Sequence, residues 1–172
     1  MVNNRIQQGV SLLELMIAIA ILAIILFLGV PSFQSFFESS RARAMTNDMA
    51  AALQLARSEA IKRRQPVFVC VRDNDPSVDD ACGADNTNWN TGWMVYYFDK
   101  DDNDDFTPIR IWDPISTNLG GNGLTAPAAG ISFLSTGRAS QSANFTVDVS
   151  NNERCISVAL TGRVSVRQGV CP

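Results

Sequence analysis

Residues 1–31 read MVNNRIQQGVSLLELMIAIAILAIILFLGVP, and this opening decides how the rest of the chain is read. Met1 to Gly9 is short and polar, with Arg5 as its one charge, and Val10 to Val30 is a near-continuous apolar run. At about 1.5 Å rise per residue the run covers roughly 32 Å, enough to cross a bilayer core of about 30 Å. A secretory signal peptide places its small-residue cleavage site after the apolar core. Here the small residue, Gly9, stands before it, so cleavage after Gly9 would keep the apolar segment in the mature chain.

Glu14 interrupts the run as the fifth residue counted from Val10. A carboxylate in such a segment costs about 2.5–3.5 kcal/mol at the bilayer centre, less near its edge, and is normally paired and functional. The alternative is a side chain that snorkels to the interface. Pro31 lacks a backbone donor, so a helix continuing past it is expected to kink or loosen there.

Beyond Pro31 the apolar period stays helical. Met45, Met49, Ala52, Ala56 and Ala60 recur at spacings of three and four, while Arg43, Asn47, Gln54, Ser58 and Lys62 hold another face. The stripe predicts packing against the chain's own C-terminal domain rather than against a second copy. Arg57, Lys62, Arg63 and Arg64 suit the last turns, where cations complement the helix dipole, and Pro66 ends the helix. From position 67 the period becomes two, predicting strands over 67–72, 93–98, 109–112, 131–134, 144–149, 154–160 and 163–167. The expected fold is α+β: a leader over 1–9, a membrane and assembly helix over 10–30, an amphipathic half-helix over 31–64, and a β-rich head over 65–172.

Gly9, Val10-Ser11-Leu12-Leu13-Glu14, the apolar run and Pro31 together resemble the class III signal of type IV prepilins and pseudopilins. That resemblance implies a membrane-embedded prepilin peptidase that cuts between Gly9 and Val10 and methylates the new amine of Val10, where the family usually has phenylalanine. It implies that Glu14 neutralises the amino terminus of a neighbouring subunit during assembly. The implied partners are other pilins or pseudopilins through the N-terminal helix, the peptidase, and the bacterial inner membrane, with the head in the periplasm. Trp89, Gly92-Trp93-Met94-Val95, the acidic turn Asp99 to Asp105, and Thr161-Gly162-Arg163 are similar to the GspH/FimT group of minor pilins and pseudopilins.

The whole chain of 172 residues carries a formal net charge of −3, so no strong field attracts nucleic acid or anionic lipid. The acid is concentrated: Asp73, Asp75, Asp79, Asp80, Asp85, Asp99, Asp101, Asp102, Asp104 and Asp105 face only Lys100 across that stretch. Four cysteines, Cys70, Cys82, Cys155 and Cys171, show no zinc or redox spacing, and the chain has no histidine; disulfides in an oxidising compartment fit better. Nearest-neighbour pairing joins Cys70 to Cys82 and Cys155 to Cys171, one of three possible connectivities.

Two further segments carry both a functional and a plainer explanation. Asp99, Asp101, Asn103 and Asp105 alternate as oxygen ligands do in calcium loops, but Asp104 and Arg110 occupy the places where an EF-hand needs glycine and a bidentate acid. A solvated hairpin turn is the favoured reading, and no metal or other cofactor is expected. The resemblance also brings a DNA-binding G-R-x-R motif, here Gly162-Arg163-Val164-Ser165, with Arg167 substituting imperfectly for the second arginine. As a strand this segment would turn Arg163, Ser165 and Arg167 to one face and Val164 and Val166 inward. DNA is therefore the minority partner.

No Walker loop, nucleophile elbow, H-E-x-x-H or dinucleotide fingerprint is present, and no catalytic site is nominated. Asn144-Phe145-Thr146 matches a glycosylation acceptor no better than chance. The leading expectation is a minor type IV pilin acting in pilus assembly or initiation, and in twitching motility. A type II secretion pseudopilin is its rival, and a DNA-uptake subunit and a simple single-pass membrane protein are the further alternatives. A solvated turn at 99–105 predicts that chelating calcium leaves the melting temperature unchanged; a fall on chelation would establish a structural ion.

Overall fold

The computed structural model describes residues 11–72, 82, 88–99, 105–115, 120–126, 130–150 and 152–171, without the side chains at 28–32 and 105. Gly9 and Val10, the aspartates at 73, 75, 79, 80, 85, 101, 102 and 104, Lys100 and Asn103 lie outside the described residues, as does the side chain of Asp105. Residues Met1–Phe37 and Glu38–Pro172 form two compact units.

The helix α1 runs from Leu12 to Arg63 and continues through Pro31. Ser11 caps it, its hydroxyl accepting the backbone N–H of Glu14 at 3.3 Å, which satisfies one of the donors every helix leaves unpaired in its first turn. At the other end Arg64 turns left-handed (φ +55°), and Pro66 prevents continuation. Among the described residues no helix is long and apolar enough to cross a membrane.

In the second unit the expected stripe is buried. Ala42, Met45, Met49, Ala52, Leu53, Ala56 and Ala60 are all inaccessible or nearly so. Thr46, also buried, donates its hydroxyl to the Ala42 carbonyl at 2.6 Å, so no polar group is stranded there.

The strands that follow are β1 (Val67–Val71), β2 (Trp93–Asp99), β3 (Asp105–Trp112), β4 (Gly123–Thr125), β5 (Gly130–Phe133), β6 (Ala143–Val149), β7 (Asn152–Val158) and β8 (Val164–Gln168). They form two antiparallel sheets in the orders β3-β2-β1-β5 and β4-β6-β7-β8. Alternation sets which side chains enter the core: Val67, Val69 and Val71 from β1, and Phe145, Val147 and Val149 from β6. Trp89 meets Phe145 edge to face at 5.1 Å and joins the same cluster as the helix stripe. On the other face of the first sheet, Phe68 stacks on Tyr96 at 5.1 Å and Tyr96 on Phe106 at 4.4 Å; burial pushes the Tyr96 phenol above its usual pKa.

The structure departs from the sequence expectation at three strands. β4 has only three residues, too few for a period to register, and exists through its pairing with β6. β3 begins at Asp105 rather than at 109, since an edge strand tolerates Pro108, which lies opposite Tyr96 beside a register shift. β7 ends at Val158, and Ala159 and Leu160 enter the turn to β8.

Disulfides join Cys70 to Cys82 and Cys155 to Cys171. The last turn of α1 is fastened by Glu59, which accepts from Arg63 Nε at 2.7 Å and Lys62 Nζ at 3.3 Å, while the Arg63 guanidinium lies 4.1 Å from the centre of the Tyr97 ring. The hydrogen bond from Arg63 holds the Glu59 carboxyl below its ordinary pKa of 4.5. A depressed folded-state pKa adds stability that is fully present above the unfolded value and is lost as pH falls through the folded one. Glu59→Gln is therefore expected to cost about 0.5–1 kcal/mol near pH 7, with the gap to the parent closing as thermal melts descend from about pH 5 to pH 3.

Candidate assembly surface and basic cleft

α1 begins with a segment that has no polar face. From Leu12 to Phe27 every described side chain is exposed, with Leu12 at 77% and Phe27 at 82%, and Phe33, Phe36 and Phe37 continue the pattern. A helix apolar on all sides is stable in water only when lipid or other protein surrounds it. Ser11 sets where this helix starts, so Glu14 falls in its first turn, beside the positive end of the dipole. The spacing S-x-x-E at Ser11 to Glu14 is the capping signal in the sequence that marks this start.

The motif residues of the head have structural work. Asn88 to Gly92 forms a joint around a single 3-10 turn, Trp89–Thr91. The Asn90 side chain imitates a strand edge, donating to the Asn122 carbonyl at 3.0 Å and accepting from the Leu124 N–H at 2.8 Å. Asn90 thereby holds β4, and no pattern in the sequence marked it. The carbonyl of Gly92 (φ +99°) accepts the Arg72 N–H at 3.0 Å, and a side chain there would strike the Trp112 carbonyl.

Thr161-Gly162-Arg163 is a second joint. Gly162 (φ +78°) is buried so closely on Gly137 that a Cβ would collide with the Gly137 carbonyl oxygen. Arg57 reaches across from α1, donating Nε to that same carbonyl at 3.0 Å and Nη2 to the Thr161 carbonyl at 3.4 Å. Its role is therefore to tie two loops to the helix, not only to complement the dipole.

The two arginines proposed for DNA are not brought together as one site. Arg163 precedes β8 and lines a cleft of about 320 Å³ with Arg57, Gln54 and Ser58. Arg167 lies on β8 and donates Nη2 to the Val170 carbonyl at 3.2 Å. Val164 packs on the core, but Val166, expected inward, is 44% exposed because β8 is an edge strand with no layer beneath that position. β2 and β3 pair out to Asp99 and Asp105, so the acidic segment connects two antiparallel strands. Among the described residues no cluster of three or more ligating side chains could hold a metal.

The family model described as type II transport protein GspH matches residues 45–162, and that described as the prokaryotic N-terminal methylation motif matches residues 4–30. Two crystal forms of the type IV minor pilin FimU of Pseudomonas aeruginosa (strain PAO1) are similar in fold, with TM-scores of 0.57 and 0.53 at 18% identity; the matches cover 77% and 73% of this chain and 92% and 91% of theirs. The minor pseudopilin EpsH from the Type 2 Secretion System of Vibrio cholerae matches with a TM-score of 0.48 at 14% identity, covering 74% of this chain and 97% of its own. No curated protein matches.

The close approach at Gly162 has a direct test. Gly162→Ala adds a clash to an unfavourable φ and is expected to cost about 2–4 kcal/mol by denaturant melting. Gly169→Ala shares the positive φ, at +90°, but has nothing within 4 Å of its added methyl, and should cost only about 1 kcal/mol.

Proposed function

Because the chain belongs to the GspH family of type II transport proteins, we propose that it is a minor subunit of a type IV pilus, serving assembly or its initiation. The observation that carries this reading is the apolar sheath of α1, exposed on every side from Leu12 to Phe27. The precursor is held in the inner membrane by the run Val10 to Val30, with the head of residues 65–172 in the periplasm. Prepilin peptidase removes residues 1–9 and methylates Val10. Extraction into a fibre then exchanges lipid for neighbouring helices around the sheath. Exposing it to water instead would cost about 0.8 kcal/mol per CH₂ group, so the subunit leaves the membrane only into an assembly.

Glu14 has two tasks in this mechanism. As the first-turn acid it favours the helix start set by Ser11. Its carboxylate also offers the match for the charged amine of an adjacent subunit, an exchange that removes two unpaired charges from an apolar surrounding at once. Pro31 supplies a place where the helix can loosen as it is packed. The role is structural, and no catalytic step is assigned to the chain.

A second reading, a pseudopilin of type II secretion, is favoured by the description of the matching family. It uses the same sheath and the same Glu14. DNA uptake through Arg163 and Arg167 ranks below both, since Arg167 is turned to the Val170 carbonyl.

Mass spectrometry of the mature chain is expected to find N-methylated Val10 as the first residue; a start at Met1 would remove the prepilin reading. Glu14→Ala should leave cleavage and membrane retention intact yet lower recovery in sheared fibres by roughly tenfold or more. A deletion strain that loses twitching motility but not exoprotein secretion supports the pilus, and the opposite pattern supports the secretion machine.

A further inference from the structure

The cleft between α1 and the β7–β8 turn is basic without being a cationic track. Arg57 forms part of its wall, with Nε and Nη2 committed to the carbonyls of Gly137 and Thr161. Its position is thus fixed before any ligand arrives, and its Nη1 has no partner among the described residues. Arg163 faces the same cleft and is exposed, and its guanidinium also has no partner among the described residues. Gln54 and Ser58 add a side-chain amide and a hydroxyl, Ile61 and Val164 supply an apolar lining, and no carboxylate lines the cleft. Ile61 is half exposed, as are Leu134 and Leu160. The latter two flank the adjoining hydrogen-bonded turns, through Leu134 with Arg138 and through the Leu160 carbonyl with the Ala139 N–H.

We infer that this cleft binds an acidic peptide segment of a neighbouring subunit, seating an aspartate or glutamate side chain between Arg57 and Arg163. The chemistry matches a carboxylate: guanidinium groups bind it through charge-assisted hydrogen bonds, and a pre-positioned Arg57 loses little freedom in doing so. The size matches one or two side chains with apolar contact around them. A nucleic acid backbone would instead require successive cations along a face, and Arg167, the next on β8, is drawn to the Val170 carbonyl. Charge complementarity exists within this chain, because the segment 99–105 holds Asp99, Asp101, Asp102, Asp104 and Asp105 against Lys100. A second copy or a related subunit presenting such a segment would give a head-to-head contact that complements the helix contacts of the fibre. That the partner is a subunit rests on the proposed function; the cleft's selectivity does not.

The test uses the full chain in detergent micelles at low salt and a fluorescent peptide of the sequence of residues 99–105, Asp-Lys-Asp-Asp-Asn-Asp-Asp, followed by anisotropy. Saturable binding is expected, with no binding of the peptide in which every Asp is replaced by Asn. Arg163→Glu should weaken binding at least about tenfold while leaving the thermal melt unchanged, and Arg167→Glu should change it less than about twofold. Equal loss from both variants would mean diffuse attraction and would overturn the cleft, as would failure of the acidic peptide to bind. Binding of a short DNA duplex in its place, abolished by Arg163→Glu, would also overturn it in favour of phosphate recognition. Because the assay involves neither processing nor fibre entry, it can fail while the Glu14 experiment succeeds, and the reverse.

Discussion

The close approach of the α1 stripe to the sheets is the constraint on which the head depends. Ala42, Ala52, Ala56 and Ala60 are fully buried and carry almost no side chain, so the helix backbone can come near while Met45, Met49 and Leu53 fill the gaps between. Both sheets contribute to that one cluster, the first through β1, β2 and β5, the second mainly through β4, β6 and β7. A larger residue at any of the alanines would push the helix off and open the cluster. Close approach recurs at the two glycine joints: Gly92 and Gly162 stand where backbone meets backbone, and Thr91 and Arg57 tie loops there by their carbonyls.

Much of this is legible in the sequence. The helical stripe, the stop near Pro66 and the alternation in β1, β2 and β6 are one-dimensional signals, because each reports how a local period meets a single buried surface. β4 was not legible, since it is held by its pairing with β6 and by a side chain, Asn90, more than thirty positions away. The place of Arg57 near the helix C-terminus suits a dipole complement, and its two carbonyl partners come from loops that only the fold brings to it. Val166 followed the period of its strand but not its burial, since an edge position lacks the layer that makes inward mean buried.

The assembly surface was legible in a different sense. A run without a polar face needs no tertiary context to be recognised as seeking a surrounding, and Glu14 is conspicuous inside it. What the sequence could not supply was the relation between the basic residues of the head. Arg163 and Arg167 share a strand-like segment and looked like a pair, yet the fold couples Arg163 to a residue on α1. Proximity in sequence misled there because the turn before β8, not the strand, decides which neighbour Arg163 meets.

The disulfides have a consequence for how the head answers to reduction. Cys82 bridges back to Arg72 at the end of β1, and Cys171 follows β8, so each bond closes a short loop beside a single sheet and neither spans the two sheets or reaches α1. The layers are therefore held to one another by packing and by ties such as those of Arg57, and the disulfides restrict only the unfolded loops they close. Neither disulfide takes part in the contact between helix and sheets. Oxidation acts as a latch on the margins, and a reducing environment would loosen those margins before it threatened the joint between helix and sheets.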